Sequence, residues 1–165
     1  MTNFTENIYL CSLIRIENLM KDYEVARELM LQIIKTRTAF RQALQRILKR
    51  NNIDMTFEML QIMNCLWHEQ GISQQTLAEK TAKDKACLTN LMGNLEKKGW
   101  IVRKESTIDR RNRQVFLTPA GQTMSELILP LIKELYRQAG VQMGIEEINT
   151  GINQLKRLDE ILNQL

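Results

Sequence analysis

Apolar residues recur at helical spacing over most of the chain and alternate with polar ones in one short window. From about Val25 to Arg50, Leu29, Ile33, Phe40, Leu44, Ile47 and Leu48 recur mostly four or seven apart, with Lys and Arg between them, which predicts an amphipathic helix ended by Asn51-Asn52. Residues 1–24 are ambiguous. Ile8, Leu10, Leu13, Ile14 and Leu19 suit a short helix, the preferred reading, while Ile8-Tyr9-Leu10-Cys11 also suits a strand. Thr56 can cap a further helix carrying Met59, Leu60, Ile62, Met63, Leu66 and Trp67, which Gly71 stops. Ser73, after an extended Ile72, is an N-cap for a helix Gln74–Thr81. After a turn through Ala82 and Lys83, Asp84 caps a helix Lys85–Lys98 closed by Gly99. Leu88, Leu91 and Leu95 are expected on its inner face.

The period then becomes two. Ile101-Val102-Arg103-Lys104 and Gln114-Val115-Phe116-Leu117 read as a two-stranded hairpin whose polar connection, Glu105 to Arg113, forms a charged tip. Thr118-Pro119 starts another helix, with Pro130 inside it and Gly140 or Gly144 at its end. In the last helix Ile145, Ile148, Ile152, Leu155, Leu158, Leu162 and Leu165 make a seam that one small domain does not cover, so it is read as dimerising. The expected fold is mainly α with a small β-hairpin wing, a winged helix-turn-helix flanked by N- and C-terminal dimerisation helices. The corresponding division is 1–24 as an extension, 25–55 and 119–165 as a helical dimerisation region, and 56–118 as the winged helix-turn-helix domain.

Charge sharpens this picture. The 165-residue chain carries a formal +4, but the segment Gln74–Thr118 holds ten Lys or Arg against five acids, so the remainder is slightly negative. A local basic excess is the footprint of a phosphate-contacting surface. It coincides with helix, turn, helix and hairpin, roughly Ile72 to Thr118. The second helix of such a unit enters a major groove of duplex DNA. With the leucines inward, Lys85, Ala86, Thr89, Asn90 and Asn94 face outward. Asn can pair with adenine, Thr can touch a thymine methyl, and Lys85 suits a phosphate. At the hairpin tip, Asp109, Arg110, Arg111 and Arg113 suit a narrow minor groove, with Asp109 holding an Arg in place.

The run Gly99-Trp100-Ile101-Val102-Arg103, then Asp109-Arg110-Arg111, then Val115-Phe116-Leu117-Thr118-Pro119-Ala120-Gly121 resembles the multiple-antibiotic-resistance-regulator (MarR) family. Leu77-Ala78, Asp84-Lys85, Leu88-Thr89, Leu91 and Leu95-Glu96-Lys97-Lys98-Gly99 extend the resemblance, which covers about Glu28 to the C-terminus. It implies a homodimeric transcription regulator, with repression as the expected mode of action, whose wings straddle a pseudo-palindrome. Arg111 is implied as the minor-groove arginine and Asp109 as its positioner. A small aromatic or anionic effector is also implied. The sequence departs from the family's common pattern at Asn90 and Cys87, so base preference does not transfer.

The remaining chemistry is sparse. Three widely spaced cysteines, Cys11, Cys65 and Cys87, form no disulfide or zinc pattern, and the sole histidine, His68, has no partner set. No signal peptide and no run of about 18 apolar residues is evident, so a cytoplasmic protein without a membrane segment is expected. Nothing resembles a nucleophile–base pair or phosphate loop, so no enzyme and no cofactor are expected. Cys87 is read first as a small packed residue, with redox sensing by Cys87 or Cys11 as the alternative. Met30, Met59 and Met63 are read as core filler that could also line an effector pocket. A winged-helix protein-interaction module that does not bind DNA is the reading from another class.

Overall fold

A computed structural model describes the backbone over 3–105 and 113–165, and side chains from Met20 onward within those ranges. The elements are α1 (Asn3–Arg50), α2 (Phe57–His68), β1 (Ile72–Ser73), α3 (Gln74–Thr81), α4 (Lys85–Lys97), β2 (Ile101–Glu105), β3 (Arg113–Leu117), α5 (Pro119–Met143) and α6 (Ile145–Leu162). The chain divides into two compact units, Met1–Arg46 and Ile47–Leu165.

The described residues of the first unit all lie in one helix. Residues 3–50 contain neither Gly nor Pro, so nothing in the backbone interrupts α1 between the ambiguous start and the periodic segment. The helical alternative for residues 8–11 is therefore the observed one, and it runs without a break into the amphipathic stretch after Val25.

In the second unit each of four helices starts on an oxygen cap. Thr56 accepts from the Met59 amide, Ser73 from Thr76, Asp84 from Cys87 and Thr118 from Gly121. Each satisfies a backbone donor that the first helical turn leaves open. Gly99, with φ of 71°, closes α4, and Gly144, with φ of 81°, rather than Gly140, separates α5 from α6.

The sheet has three strands rather than the expected two. β1 pairs antiparallel with β3, which pairs with β2, in the order β1-β3-β2. Ile72 and Arg103 both oppose Val115. The extended piece before α3 was legible, but at two residues it is too short to announce a strand partner. In the core of this unit Ile62, Met63, Leu66, Leu77, Met92, Leu95 and Val115 are almost completely buried. Burial on α4 falls on Leu88, Met92 and Leu95, with Leu91 only half-buried. Positions 91 and 92 straddle the inward direction at about 100° per residue, and the flexible thioether of Met92 takes the central place.

Candidate nucleic-acid interface

Leu88, Met92 and Leu95 anchor α4 and thereby aim its opposite side outward. Lys85, Ala86, Cys87, Thr89, Asn90 and Asn94 are all exposed. The expected packing of Cys87 is thus corrected. It occupies the third helical position, where its amide meets the Asp84 carboxylate at 2.7 Å while the thiol lies on the solvent side. Thr89 Oγ1 donates to the Lys85 carbonyl at 2.7 Å. Its hydroxyl proton is committed within the helix, which leaves the methyl and the acceptor lone pairs to face a partner.

A cleft of about 440 Å³ opens where this helix meets α3 and the tip-side end of β3, lined by Gln74, Gln75, Ala78, Lys85, Leu88, Thr89 and Arg113. It brings two anticipated cations, Lys85 and Arg113, to one concave site. Gln74 and Gln75 were not anticipated. Their position immediately after the Ser73 cap was the available signal, because a first helical turn points its amides at whatever approaches. Asp109, Arg110 and Arg111 lie outside the described residues, as does the side chain of Cys11.

The basic segment is not uniformly available. Lys80 pairs with Glu69, Lys98 with Asp54, and Arg103 with Glu96. The acids hold the Lys80 ammonium and the Arg103 guanidinium more firmly protonated than usual, through a side-chain hydrogen bond in each case. Lys98 also lies 5.2 Å from the Trp100 ring and Lys104 5.3 Å from the Phe116 ring. Among the described residues, Lys83, Lys85, Lys97, Lys104 and Arg113 make no ion pair, and these are the cations of the segment that remain for an external anion.

The methionines separate. Met59 and Met63 are buried in the second unit, while Met30 belongs to the first. Met63 lines a small cleft of about 20 Å³ between α2 and α5 with Leu60, Asn64, Trp67, Ser125, Ile128, Leu129 and Ile132; Met59 does not. The buried Ser125 hydroxyl on that cleft has no hydrogen-bond partner among the described residues. Burial pushes the Cys65 thiol up, opposed by the nearby Lys80 charge, so this half-buried thiol is kept neutral.

Residues 55–112 match the model of the MarR family. Among curated proteins, the HTH-type transcriptional regulator SarZ of Staphylococcus saprophyticus is 25% identical over 111 residues, 67% of this chain and 73% of its own length. Among solved structures, reduced AbfR bound to DNA superposes with a TM-score of 0.72 at 20% identity, covering 86% of this chain and 96% of AbfR. NadR in complex with 4-hydroxyphenylacetate gives 0.66 at 26% identity, covering 78% and 89%.

The chain carries a MarR-family domain.

The matched segment begins just before α2 and runs through β1, α3, α4 and β2, so the MarR signal resides in the second unit. The motif Leu117-Thr118-Pro119-Ala120-Gly121 has a structural reason. Thr118 donates its amide to the Trp100 carbonyl at 3.0 Å and its hydroxyl to the Gly99 carbonyl at 2.6 Å, and it caps α5 at Gly121. These bonds fasten the end of the wing to the end of α4. The curated relative matched over this domain, SarZ, is named a transcriptional regulator. No helix among the described residues is long and apolar enough to cross a membrane.

Proposed function

We propose that this MarR-family regulator binds duplex DNA as a homodimer and acts as a repressor on a pseudo-palindromic operator. Residues 25–55 and 119–165 serve as its dimerisation region and 56–118 as its reader. The observation that carries the reading is the shared face of Lys85, Thr89 and Arg113, which joins the start of α4 to the tip-side end of β3 around one cleft. In this arrangement α4 lies in a major groove. Asn90 and Asn94 read base edges, Ala86 and the Thr89 methyl supply apolar contact, and Lys85 holds a phosphate. The wing residues Asp109, Arg110, Arg111 and Arg113 serve the adjacent minor groove. A second copy places its reader about 10 bp away.

A small aromatic or anionic molecule releases the DNA by changing the spacing of the two readers. NadR, 26% identical, is seen with an aromatic acid, which supports that chemical class. Coupling of about 1–3 kcal/mol is enough to change operator affinity about 5- to 150-fold. Met30, Met59 and Met63 are the candidates from the methionine pattern for the effector pocket, and the cleft of about 20 Å³ beside Met63 and Ser125 must widen to admit such a molecule.

The test is a fluorescence-anisotropy titration of an operator duplex across salt concentrations. Lys85→Ala weakens binding to all duplexes alike and lowers the log–log salt slope by about one for each subunit. An unchanged slope would remove Lys85 from the interface.

The exposure of Cys87 on the same face favours one second reading, a redox-responsive regulator. Mild peroxide then releases the wild-type protein from DNA and leaves Cys87→Ser bound. A wild type that stays bound rejects this reading.

A further inference from the structure

Arg103 belongs to the basic residues of the reader segment, yet the sheet turns it inward. β2 alternates, with Ile101 and Arg103 on one face and Val102 and Lys104 on the other. Ile101 is buried, and Arg103 opposes Val115, which is 0% exposed. The guanidinium is partly buried and spans to α4. Its Nε donates to Glu96 Oε1 at 2.8 Å, and Nη2 donates to Glu96 Oε2. Two parallel bonds from a planar fork to a carboxylate fix orientation as well as distance.

Glu96 is oddly placed unless it has this use. It sits one residue before the end of α4, where the helix dipole disfavours a carboxylate. It is also the acid of a helix whose outer face is the proposed DNA surface. Both costs are offset where the acid holds a cation that arrives from the wing.

We propose that Glu96 and Arg103 are a positioning pair. They lock the first wing strand to the C-terminal turn of the reader helix, so that groove-reading helix and wing approach DNA as one rigid unit, and Arg103 itself touches no phosphate. This rests on the DNA-binding reading above. Lys104, its neighbour on the outer face, remains the β2 cation available to an anion.

The sign of one substitution separates this role from simple charge. Glu96→Gln removes a negative charge from a DNA-binding unit, which by electrostatics alone tightens DNA binding. A positioning pair predicts the reverse, a loss of about tenfold in operator affinity with a smaller loss on random duplexes. Arg103→Ala behaves likewise, and its salt slope stays that of the wild type because no phosphate contact is lost. The exchanged pair Glu96→Arg with Arg103→Glu recovers part of the lost affinity. Tighter binding by Glu96→Gln, or a salt slope reduced by about one per subunit in Arg103→Ala, overturns the proposal. A readout without DNA keeps the two readings distinguishable. Amide hydrogen exchange at 101–105 and 113–117 quickens in Glu96→Gln if the pair locks the strands, and equal protection in both proteins overturns the lock even where the wild type binds no duplex.

Discussion

Replacing Ile152 and Leu155 together by Asp makes the protein monomeric and lowers operator affinity by at least about 100-fold. The reason lies in α6, which has no buried residue although it carries an apolar seam. Ile145 is 71% exposed, Leu155 51% and Ile152 43%, while Ile148 and Leu158 are half-covered. Each such side chain gains about 1.5–3 kcal/mol when fully buried, and in the proposed homodimer a second copy covers the seam. Introduced carboxylates cannot be buried there without partners. A monomer keeps one reader and loses the second half-site, which in the dimer binds as an intramolecular event. Because the two positions are exposed within the chain, circular dichroism should retain the helical signal. Light scattering on the eluting protein checks the mass. A variant that remains dimeric at micromolar concentration would mean that α6 is not the interface.

The second large effect is expected at Gly121. A Cβ built there lies 1.9 Å from the Trp100 carbonyl oxygen and 2.8 Å from its carbon, and both atoms are backbone. Neither can rotate away. The start of α5 would have to lift off the α4–β2 connection, breaking the Thr118 bonds to Gly99 and Trp100. Gly121→Ala should therefore cost about 3 kcal/mol or more in urea unfolding. Gly140→Ala is the internal control. An added Cβ there meets nothing within 4 Å, and the residue lies inside α5, so the change should stabilise by about 0.5–1 kcal/mol. A Gly121→Ala variant as stable as the wild type would contradict the close approach.

Much of the reader was legible because its signals are local. A cap at Ser73 or Asp84, the glycine at 99 and the Thr118-Pro119 start each act within one turn of backbone, and the structure places all four as read. What depended on distant partners was not legible. The pairing of β1 with β3 joins residues more than 40 apart, and two residues of alternation carry no period. The choice of Met92 over Leu91 depends on which side chain meets the core, and hydrophobicity alone favoured the leucine. Cys87 was expected to pack because a small apolar side chain usually does; its place on α4 away from Leu88 and Met92 puts it outside. The basic segment likewise did not reveal that Arg103 is held by Glu96, since charge counts do not show direction. The length of α1 followed from the absence of any breaker, a negative signal easily overlooked beside the stronger periodicity after Val25.

If α4 and the wing together read duplex DNA in two copies, selecting bound duplexes from a random pool and titrating the winner across salt will show it most directly. The expected result is a two-fold symmetric site with half-site centres about 10 bp apart, and a steep fall of affinity as salt rises. Failure to bind any duplex at low salt would contradict DNA reading and favour a winged-helix module that recognises protein.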